Sequence, residues 1–232
     1  MNCIYCQNYE ISQQGKGKEI TIEELANIMI KQQEKGVENI YLVTPTSYAL
    51  HIIEAVKIAR NNGLHIPIVY NTNGYESIGT LKLLEGYIDI YLPDLKYYDN
   101  ELGKNFSNVN NYFEIATEAI REMYRQVGAP QLNESGIMQK GLMIRHLVLP
   151  NNMQNSKQIL KWIKENIDNS VYVSVMAQYF PTYKANETED INRKLTKEEY
   201  EKIEDYLYQL NLENGYMQDL EENEEQYVPD FK

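Results

Sequence analysis

Residues 39–74 of the chain read NIYLVTPTSYALHIIEAVKIARNNGLHIPIVYNTNG. Apolar, β-branched runs at 39–44 and 66–71 enclose a predicted helix at 47–62, which ends at Gly63. Because both runs are almost continuously apolar rather than alternating, they predict strands that are covered on both faces, as in a parallel sheet. The stretch therefore predicts a strand–helix–strand unit with a right-handed crossover. The helix residues predicted to face inward are Ile52, Ile53 and Val56.

The same alternation continues along the rest of the chain. Further predicted strands occupy residues 87–92, 142–149 and 171–178. Further helices are predicted between Thr21 and Gly36, at 77–84, 111–127 and 156–167, and from Thr196 to a point before Gly215. Thr21 with Glu24, and Thr196 with Glu199, have the spacing of capping boxes, which predicts where two of these helices begin. This run of strand–helix units is typical of the α/β class.

No linker interrupts the pattern, and 232 residues are enough for one compact domain. We therefore expect a single domain over residues 1–215, followed by an acidic tail at 216–232. The polar, glycine-containing stretch at 129–141 is predicted to be a loop or a small excursion within that domain.

The net charge of the chain indicates which classes of partner it can bind. The chain has 22 Lys and Arg residues against 34 Asp and Glu residues, a formal charge of −12. Since so acidic a surface repels phosphate backbones, we expect no nucleic-acid partner. No stretch approaches the roughly 18 consecutive apolar residues of a membrane span, so we expect no membrane partner. The first residues lack the basic-then-apolar pattern of a signal peptide, which predicts a cytoplasmic protein.

Polar residues follow each predicted strand, at the edge where parallel α/β folds place function. An arginine inside an apolar strand also needs an anionic or hydrogen-bonding partner. The candidate binding residues at this edge are Thr44, Pro45, Thr46, Asn71, Thr72, Asn73, Asp94, Lys96, Arg145 and Gln178. For each of them a turn, a surface ion pair or a packing role is the alternative interpretation.

The two cysteines, Cys3 and Cys6, form one C-x-x-C pair. A thioredoxin-like dithiol would need a preceding strand and a following helix, whereas the residues that follow are polar. A structural zinc site would need four ligands, and none of the histidines has finger spacing from the pair. An iron–sulfur site uses thiolates as its normal ligands, although two are too few to hold a cluster.

A family resemblance narrows these alternatives. The string CIYCQNYE at 3–10 is similar to the second half of the C-x-x-x-C-x-x-C loop of radical S-adenosylmethionine (SAM) enzymes. The strings LVTPTSY, IVYNTNGY, YLPDLKYYD, IRHLVLP and VSVMAQYFP follow in order. Together they resemble the pyruvate formate-lyase activating enzyme-like branch over residues 3–210. The first cysteine of the family loop and the strand before it do not occur in the chain, so we expect a fragment or a misplaced start, with poor cluster binding by this polypeptide.

The resemblance implies a fold and a set of roles. The fold would be a partial (β/α)6 TIM-like barrel of the radical SAM type that lacks its first strand. Cys3 and Cys6 would be catalytic ligands of a [4Fe–4S] cluster, and Tyr5 would lie near the cofactor or act as a packing aromatic. The strand-end residues given above would bind SAM, with Asn71 standing where the family has an aspartate. Gln178 would line the radical cavity.

The function implied is reductive cleavage of SAM to a 5′-deoxyadenosyl radical, used on a protein or peptide such as a glycyl radical enzyme. A flavodoxin or ferredoxin would donate the electron. One alternative is a non-catalytic barrel remnant that still binds SAM or a partner, because the first cluster cysteine is missing. Another is a non-redox lyase that uses Lys96 as a Schiff-base nucleophile.

Overall fold

The computed structural model describes residues 1–212 and 214–217. These residues form two compact units. The first unit contains Met1–Gly17, Leu95–Glu114 and the described residues from Arg145 onward, and the second contains Lys18–Asp94 and Ile115–Ile144. Within the described ranges, no helix has the length and apolar character needed to cross a membrane.

Strands and helices alternate along the chain. The helices are α1 (Tyr9–Ser12), α2 (Ile22–Glu34), α3 (Ala49–Asn61), α4 (Ile78–Leu84), α5 (Asn100–Ser107), α6 (Tyr112–Val127), α7 (Met153–Asn166) and α8 (Lys197–Gln209), with 3₁₀ turns at Thr46–Tyr48, Ala185–Glu187 and Glu189–Ile191. The strands are β1 (Ile40–Val43), β2 (Ile68–Thr72), β3 (Ile90–Pro93), β4 (Gln131–Leu132), β5 (Met138–Leu147), β6 (Tyr172–Met176) and β7 (Gly215–Met217). The strand order is β1-β2-β3-β5-β6-β7, with β4 on β5. This mostly parallel arrangement confirms the predicted α/β class.

The second unit contains the parallel part of the sheet that the opening sequence stretch predicts. Ile40 pairs with Ile68 in β1 and β2, and Val69 pairs with Ile90 in β2 and β3. All of β2 is buried, as expected of a strand covered on both faces. The same expectation is wrong for β1, an edge strand in which Tyr41 and Val43 are exposed. Its core includes Tyr70 and Tyr91, whose rings meet edge to face at 5.7 Å. The three helix residues predicted to face inward, at 52, 53 and 56, are all buried.

The first unit contains the end of β5 and the parallel pair β6 and β7. Val173 lies opposite Gly215 in that pair. Helices α7 and α8 cover this part of the fold with buried apolar residues that include Ile159, Leu160 and Ile203. Burying these helix faces stabilises the unit by about 1.5–3 kcal/mol for each large apolar side chain.

Both predicted capping boxes are confirmed. In α2, the Thr21 side chain accepts from the Glu24 amide at 3.1 Å, and the Glu24 side chain accepts from the Thr21 amide at 2.8 Å. In α8, Thr196 and Glu199 exchange the equivalent bonds at 3.2 and 3.0 Å. Each box pairs amides that would otherwise have no partner in the first turn, so the sequence spacing alone locates the helix start.

The stretch 129–141 is an excursion with strand pairing rather than a plain loop, because β4 and the first residues of β5 pair there as an antiparallel hairpin. Gly141 makes the hairpin possible. Its φ is +130°, and a Cβ atom at this position would lie 2.6 Å from the Cα of Pro130. A glycine that we interpreted as a loop signal is therefore required by the close approach of two backbone segments.

The sequence analysis also missed three short elements. These are α1, α5 and β7. Tyr216 and Met217, which were assigned to the acidic tail, lie in β7. The remaining tail residues, 218–232, lie outside the described residues.

Candidate functional site

The cysteine loop, residues 3–6, belongs to the first unit and is fixed by backbone hydrogen bonds. The Asn2 amide donates to the carbonyl of Ser107 at 2.9 Å, and the Ile4 amide donates to the carbonyl of the residue before Ser107 at 2.9 Å. On its other side, the Lys184 amide donates to the Ile4 carbonyl at 2.9 Å. These bonds hold the loop between the end of α5 and the residues near 184.

Both thiols are free. The Ser107 hydroxyl donates to the Cys3 sulfur at 3.0 Å. Burial raises the pKa of the Cys3 thiol, while the positive charge of Lys96 and the Ser107 hydrogen bond oppose that rise. The Cys6 sulfur lies 3.3 Å from the Ser12 hydroxyl in α1. Each thiol therefore has a serine hydroxyl beside it, and a lysine bears electrostatically on Cys3.

A chain of buried hydroxyl groups lies beside Cys3. The Tyr5 and Tyr97 hydroxyls are hydrogen bonded to each other, and the Tyr97 hydroxyl lies 2.7 Å from that of Ser107. Burial and the neighbouring Tyr97 hold the pKa of Tyr5 well above its ordinary value, so its hydroxyl stays protonated. The Tyr5 ring meets that of Tyr179 edge to face at 5.9 Å. Tyr5 thus packs in the core and also joins the hydroxyl chain that reaches a candidate ligand.

Lys96 lies in a segment whose backbone is held from several directions. Its amide donates to the Tyr112 hydroxyl at 3.0 Å, and its carbonyl accepts from the Asn155 side chain at 3.0 Å. The oxygen of the same Asn155 amide accepts from the Tyr98 backbone at 2.7 Å. These bonds fix the backbone position from which the Lys96 side chain extends.

His146 is a fully buried histidine with both ring nitrogens bonded. Nδ1 donates to the Leu95 carbonyl at 2.8 Å, since a carbonyl can only accept, and Nε2 accepts from the Ser156 hydroxyl at 2.8 Å. His146 is therefore a core residue whose ring nitrogens are both satisfied. Its neighbour Arg145 is half-buried, and the Arg145 carbonyl accepts from the Leu95 amide at 2.8 Å.

Gln178 follows β6 and is half-buried, with its side-chain nitrogen 3.8 Å from the sulfur of Met176. The next residue, Tyr179, is buried, and its hydroxyl donates to the carbonyl of Ile191 at 2.6 Å. The Tyr179 hydroxyl therefore has a structural role, because it anchors the backbone near residue 191.

In the second unit, the residues after β1 form a strained turn. Thr44 has φ +49°, a left-handed conformation that is uncommon for a β-branched residue. Its amide donates to the Asn71 carbonyl at 2.8 Å, which extends the pairing of β1 with β2. Pro45 is buried, and the Thr46 hydroxyl donates to Oε1 of Glu76 at 2.6 Å. Backbone strain of this kind costs about 1–3 kcal/mol and persists only where surrounding contacts enforce it.

The residues after β2 and β3 are also tightly placed. Asn71, Thr72 and Asp94 are all buried. The Asp94 amide donates to the Thr72 carbonyl at 2.8 Å, and the Asn73 side chain accepts from the Tyr75 amide at 2.9 Å. The predicted Asn-Gly turn is therefore present, and it lies beside buried polar side chains.

Glu76 is a site residue that the sequence analysis missed. It is 2% exposed, and its Oε1 accepts from the hydroxyls of both Thr46 and Thr72. Its Oε2 is buried, and the buried hydroxyl of Tyr70 also interacts with the Glu76 carboxyl. Burial raises the pKa of Glu76, and the threonine hydroxyls oppose that rise. A glutamate in a polar turn gives no sequence signal of burial, so the structure was needed to find it.

The structure thus distributes the predicted residues over the two units. The first unit contains Cys3, Tyr5, Cys6, Lys96, Arg145 and Gln178, and the second contains Thr44, Pro45, Thr46, Asn71, Thr72, Asn73 and Asp94.

The chain is similar in sequence to a known protein family and to one curated protein. Residues 1–138 match the family described as the Radical SAM superfamily. The uncharacterized protein MJ0674 of Methanocaldococcus jannaschii is 37% identical over 224 residues, which is 92% of this chain and 61% of that protein. The chain therefore spans less than two thirds of the length of that curated relative.

Solved structures show the likeness in fold. A domain of pyruvate-formate lyase-activating enzyme from Bacteroides vulgatus gives a TM-score of 0.55 at 15% identity, covering 78% of this chain and 98% of that one. SuiB of Streptococcus suis bound to S-adenosylmethionine gives 0.60 at 16% identity, covering 94% of this chain and 47% of that one. SuiB bound to its precursor peptide SuiA gives 0.60 at 17% identity, covering 94% and 46%.

Proposed function

The chain belongs to the radical SAM superfamily, and from that membership we propose that it is an enzyme that cleaves SAM reductively and uses the resulting radical on a protein or peptide. Enzymes of this family use a [4Fe–4S] cluster and SAM. When bound, the cluster supplies the electron that cleaves SAM to methionine and a 5′-deoxyadenosyl radical.

The donor atoms of the first unit fit part of such a cluster. Cys3 and Cys6 are free thiols in one loop, and thiolates are the normal ligands of iron–sulfur clusters. Across residues 1–212 and 214–217, no group of three or more His, Cys, Asp and Glu side chains is placed to hold a metal ion. Two thiolates are fewer than the three that the resemblance implies, so these two cysteines would supply only part of the ligand set.

The observation that carries the proposal is the anchoring of the cysteine loop. Backbone bonds fix the loop on the end of α5, and the Ser107 hydroxyl donates to the Cys3 sulfur at 3.0 Å. A hydrogen bond to a ligand sulfur and a nearby cation both stabilise the thiolate form that binds iron. Tyr5 and Tyr97 are buried behind this sulfur and exclude water from that side. A loop that served only as a surface turn would need none of these contacts.

We further propose how the predicted binding residues act. The Lys96 ammonium and the Arg145 guanidinium carry positive charges that can hold a carboxylate. The strand-end residues of the second unit, Thr44–Thr46, Asn71–Asn73 and Asp94, offer backbone and side-chain groups for the polar atoms of SAM. Gln178 would contact the substrate or the nucleoside. Each assignment is carried over from the family pattern, and buried polar surroundings support it in the second unit.

The substrate class is part of the proposal. Two of the proteins that share the fold are named as an activating enzyme for pyruvate-formate lyase and as a structure bound to a precursor peptide. We infer that this chain also acts on a protein or peptide, with a glycyl radical enzyme as one such substrate. A flavodoxin or ferredoxin would deliver the electron. The free thiols support a reducing compartment, and we propose the cytoplasm.

The test uses the natively expressed protein, with its N-terminus determined by mass spectrometry. The protein is incubated anaerobically with iron, sulfide, a strong reductant and SAM, and 5′-deoxyadenosine is measured by chromatography. We expect about one iron–sulfur cluster per chain and 5′-deoxyadenosine formation, both lost in Cys3→Ser and Cys6→Ser. A protein that binds the cluster and SAM but forms no 5′-deoxyadenosine would support the non-catalytic remnant. Borohydride trapping at Lys96 without iron would support the lyase.

A further inference from the structure

Glu76 connects the turns that follow two neighbouring strands of the second unit. A single carboxyl oxygen, Oε1, accepts two hydrogen bonds. One comes from the Thr46 hydroxyl, in the turn after β1, and the other from the Thr72 hydroxyl, at the end of β2. A single acceptor atom that takes hydroxyl groups from both turns fixes their spacing. At 2% exposure, water cannot readily replace either bond.

The turn after β1 depends on such contacts. Thr44 has a left-handed φ of +49°, which has to be enforced by its surroundings. Within the second unit, the Thr44 amide donates to the Asn71 carbonyl at 2.8 Å, and two residues later Thr46 donates to Glu76 at 2.6 Å. These two bonds join the strained turn to β2 and to the residues after it.

We propose that Glu76 is a positioning residue for SAM binding: its carboxyl oxygen holds the turn after β1 in register with the end of β2, so that the backbone and hydroxyl groups of residues 44–46 and 71–73 are preformed for the cofactor. This inference rests on the proposed function. It adds a residue that the family pattern in the sequence does not mark, and it assigns that residue a role through Thr46 and Thr72 rather than by contact with the cofactor.

The role needs an acceptor oxygen rather than a negative charge. Both hydroxyls donate to the same oxygen, and an amide carbonyl at that place could accept them equally well. Glu76→Gln should therefore preserve the arrangement, whereas Glu76→Met, of similar length but without an acceptor, should release both turns.

A matched control is available in the same unit. Glu122 in α6 is 9% exposed and accepts from Arg125 at 2.8 and 2.9 Å and from Gln126 at 2.8 Å. Glu122→Met removes a similarly buried acceptor, but from a helix rather than from the strand-end turns. This control variant lowers the stability of the protein in a similar way but leaves the turns after β1 and β2 in position.

Two measurements are made on wild type, Glu76→Gln, Glu76→Met and Glu122→Met. The dissociation constant for SAM is determined by anaerobic titration calorimetry after incubation with iron and sulfide. Hydrogen–deuterium exchange is followed in the peptides that cover residues 40–48. We expect Glu76→Met to weaken SAM binding about tenfold, the effect of losing roughly one to two net hydrogen bonds. We also expect faster exchange of the Thr44 amide in this variant, with Glu76→Gln and Glu122→Met close to wild type in both measurements.

The outcomes separate this inference from the proposed function. Wild-type protein that binds no SAM contradicts the proposed function, while the exchange data still decide whether Glu76 positions the turn. If Glu76→Met and Glu122→Met exchange alike over residues 40–48, the positioning role is wrong. If Glu76→Gln loses SAM binding as severely as Glu76→Met, a charge is needed and the acceptor role is overturned.

Discussion

Asn155 offers a direct test of how the backbone around Lys96 is held. It is 7% exposed in α7, where its side-chain oxygen accepts from the Tyr98 amide at 2.7 Å and its nitrogen donates to the Lys96 carbonyl at 3.0 Å. Asn155→Leu keeps a side chain of similar size but removes both bonds. The Tyr98 amide and the Lys96 carbonyl then lose their partners in a place that is only partly open to water.

The expected cost follows from those two groups. An unsatisfied buried donor or acceptor costs about 1–3 kcal/mol, and partial exposure places each group near the low end of that range. The free energy of unfolding should therefore fall by about 2–3 kcal/mol in Asn155→Leu. Some of this loss is offset because leucine replaces a polar side chain with apolar contacts.

Urea denaturation monitored by circular dichroism measures the change, with Asn166→Leu as the control. Asn166 lies in the same helix, and its side-chain nitrogen donates to the Trp162 carbonyl at 3.0 Å in an exposed position. Because water can replace that bond, the control should lose less than about 0.5 kcal/mol. A loss below about 1 kcal/mol in Asn155→Leu, or equal losses in both variants, would refute the reasoning.

Two further predictions concern the hairpin and the last helix. Gly141→Ala should destabilise the protein by about 3 kcal/mol or more, because φ of +130° excludes an L side chain and the new Cβ would meet Pro130 at 2.6 Å. Thermal denaturation measures the loss. The control, Gly17→Ala, has open space around the new Cβ and should be nearly neutral. Arg193 and the backbone amides of Thr196 and Asn151 lower the pKa of Glu199 to about 2, below its unfolded value of about 4.3. Its contribution to stability is therefore complete above about pH 4.3 and is lost as the pH falls toward 2. Glu199→Gln should therefore flatten the acid limb of the unfolding free energy between those values, and an unchanged slope would contradict the assignment.

The parts of the fold that the sequence predicted correctly are those specified by local signals. Capping boxes join residues three apart, and apolar runs identify strands, although not which of them are buried, without reference to the rest of the chain. The short elements that were missed have weaker signals: α5 begins at an N-cap, Asp99, whose side chain accepts from the Glu101 amide, but it has no capping box. Helix α5 contains Gly103 in its interior, which normally disfavours a helix. Here a Cβ at that glycine would lie only 3.0 Å from Tyr112, so close packing rather than helix propensity explains its presence.

The candidate site shows the same division. The cysteine pair and the strand-end turns could be identified because their residue types and order match a family pattern. The residues that support the cysteine pair and the turns could not be identified from the sequence. Ser107 lies far along the chain from Cys3, and nothing in the string NTNGYE indicates that Glu76 is buried. The residue types that contact a ligand are set by the chemistry of that ligand, so a sequence pattern can identify them. The residues that position those side chains depend on which segments the fold brings together, so a sequence pattern does not identify them.

That division also determines which experiments are informative. Replacing Cys3 or Cys6 tests membership in a reaction class, because any enzyme that uses those thiolates loses activity with them. Replacing Glu76 by methionine and by glutamine tests something narrower, namely whether an uncharged acceptor is enough to keep the strained Thr44 turn in place. The free energy stored in such a turn, about 1–3 kcal/mol, is comparable to the one or two hydrogen bonds that Glu76 supplies. Because the two quantities are so closely matched, loss of a single acceptor oxygen should be enough to let the turn relax.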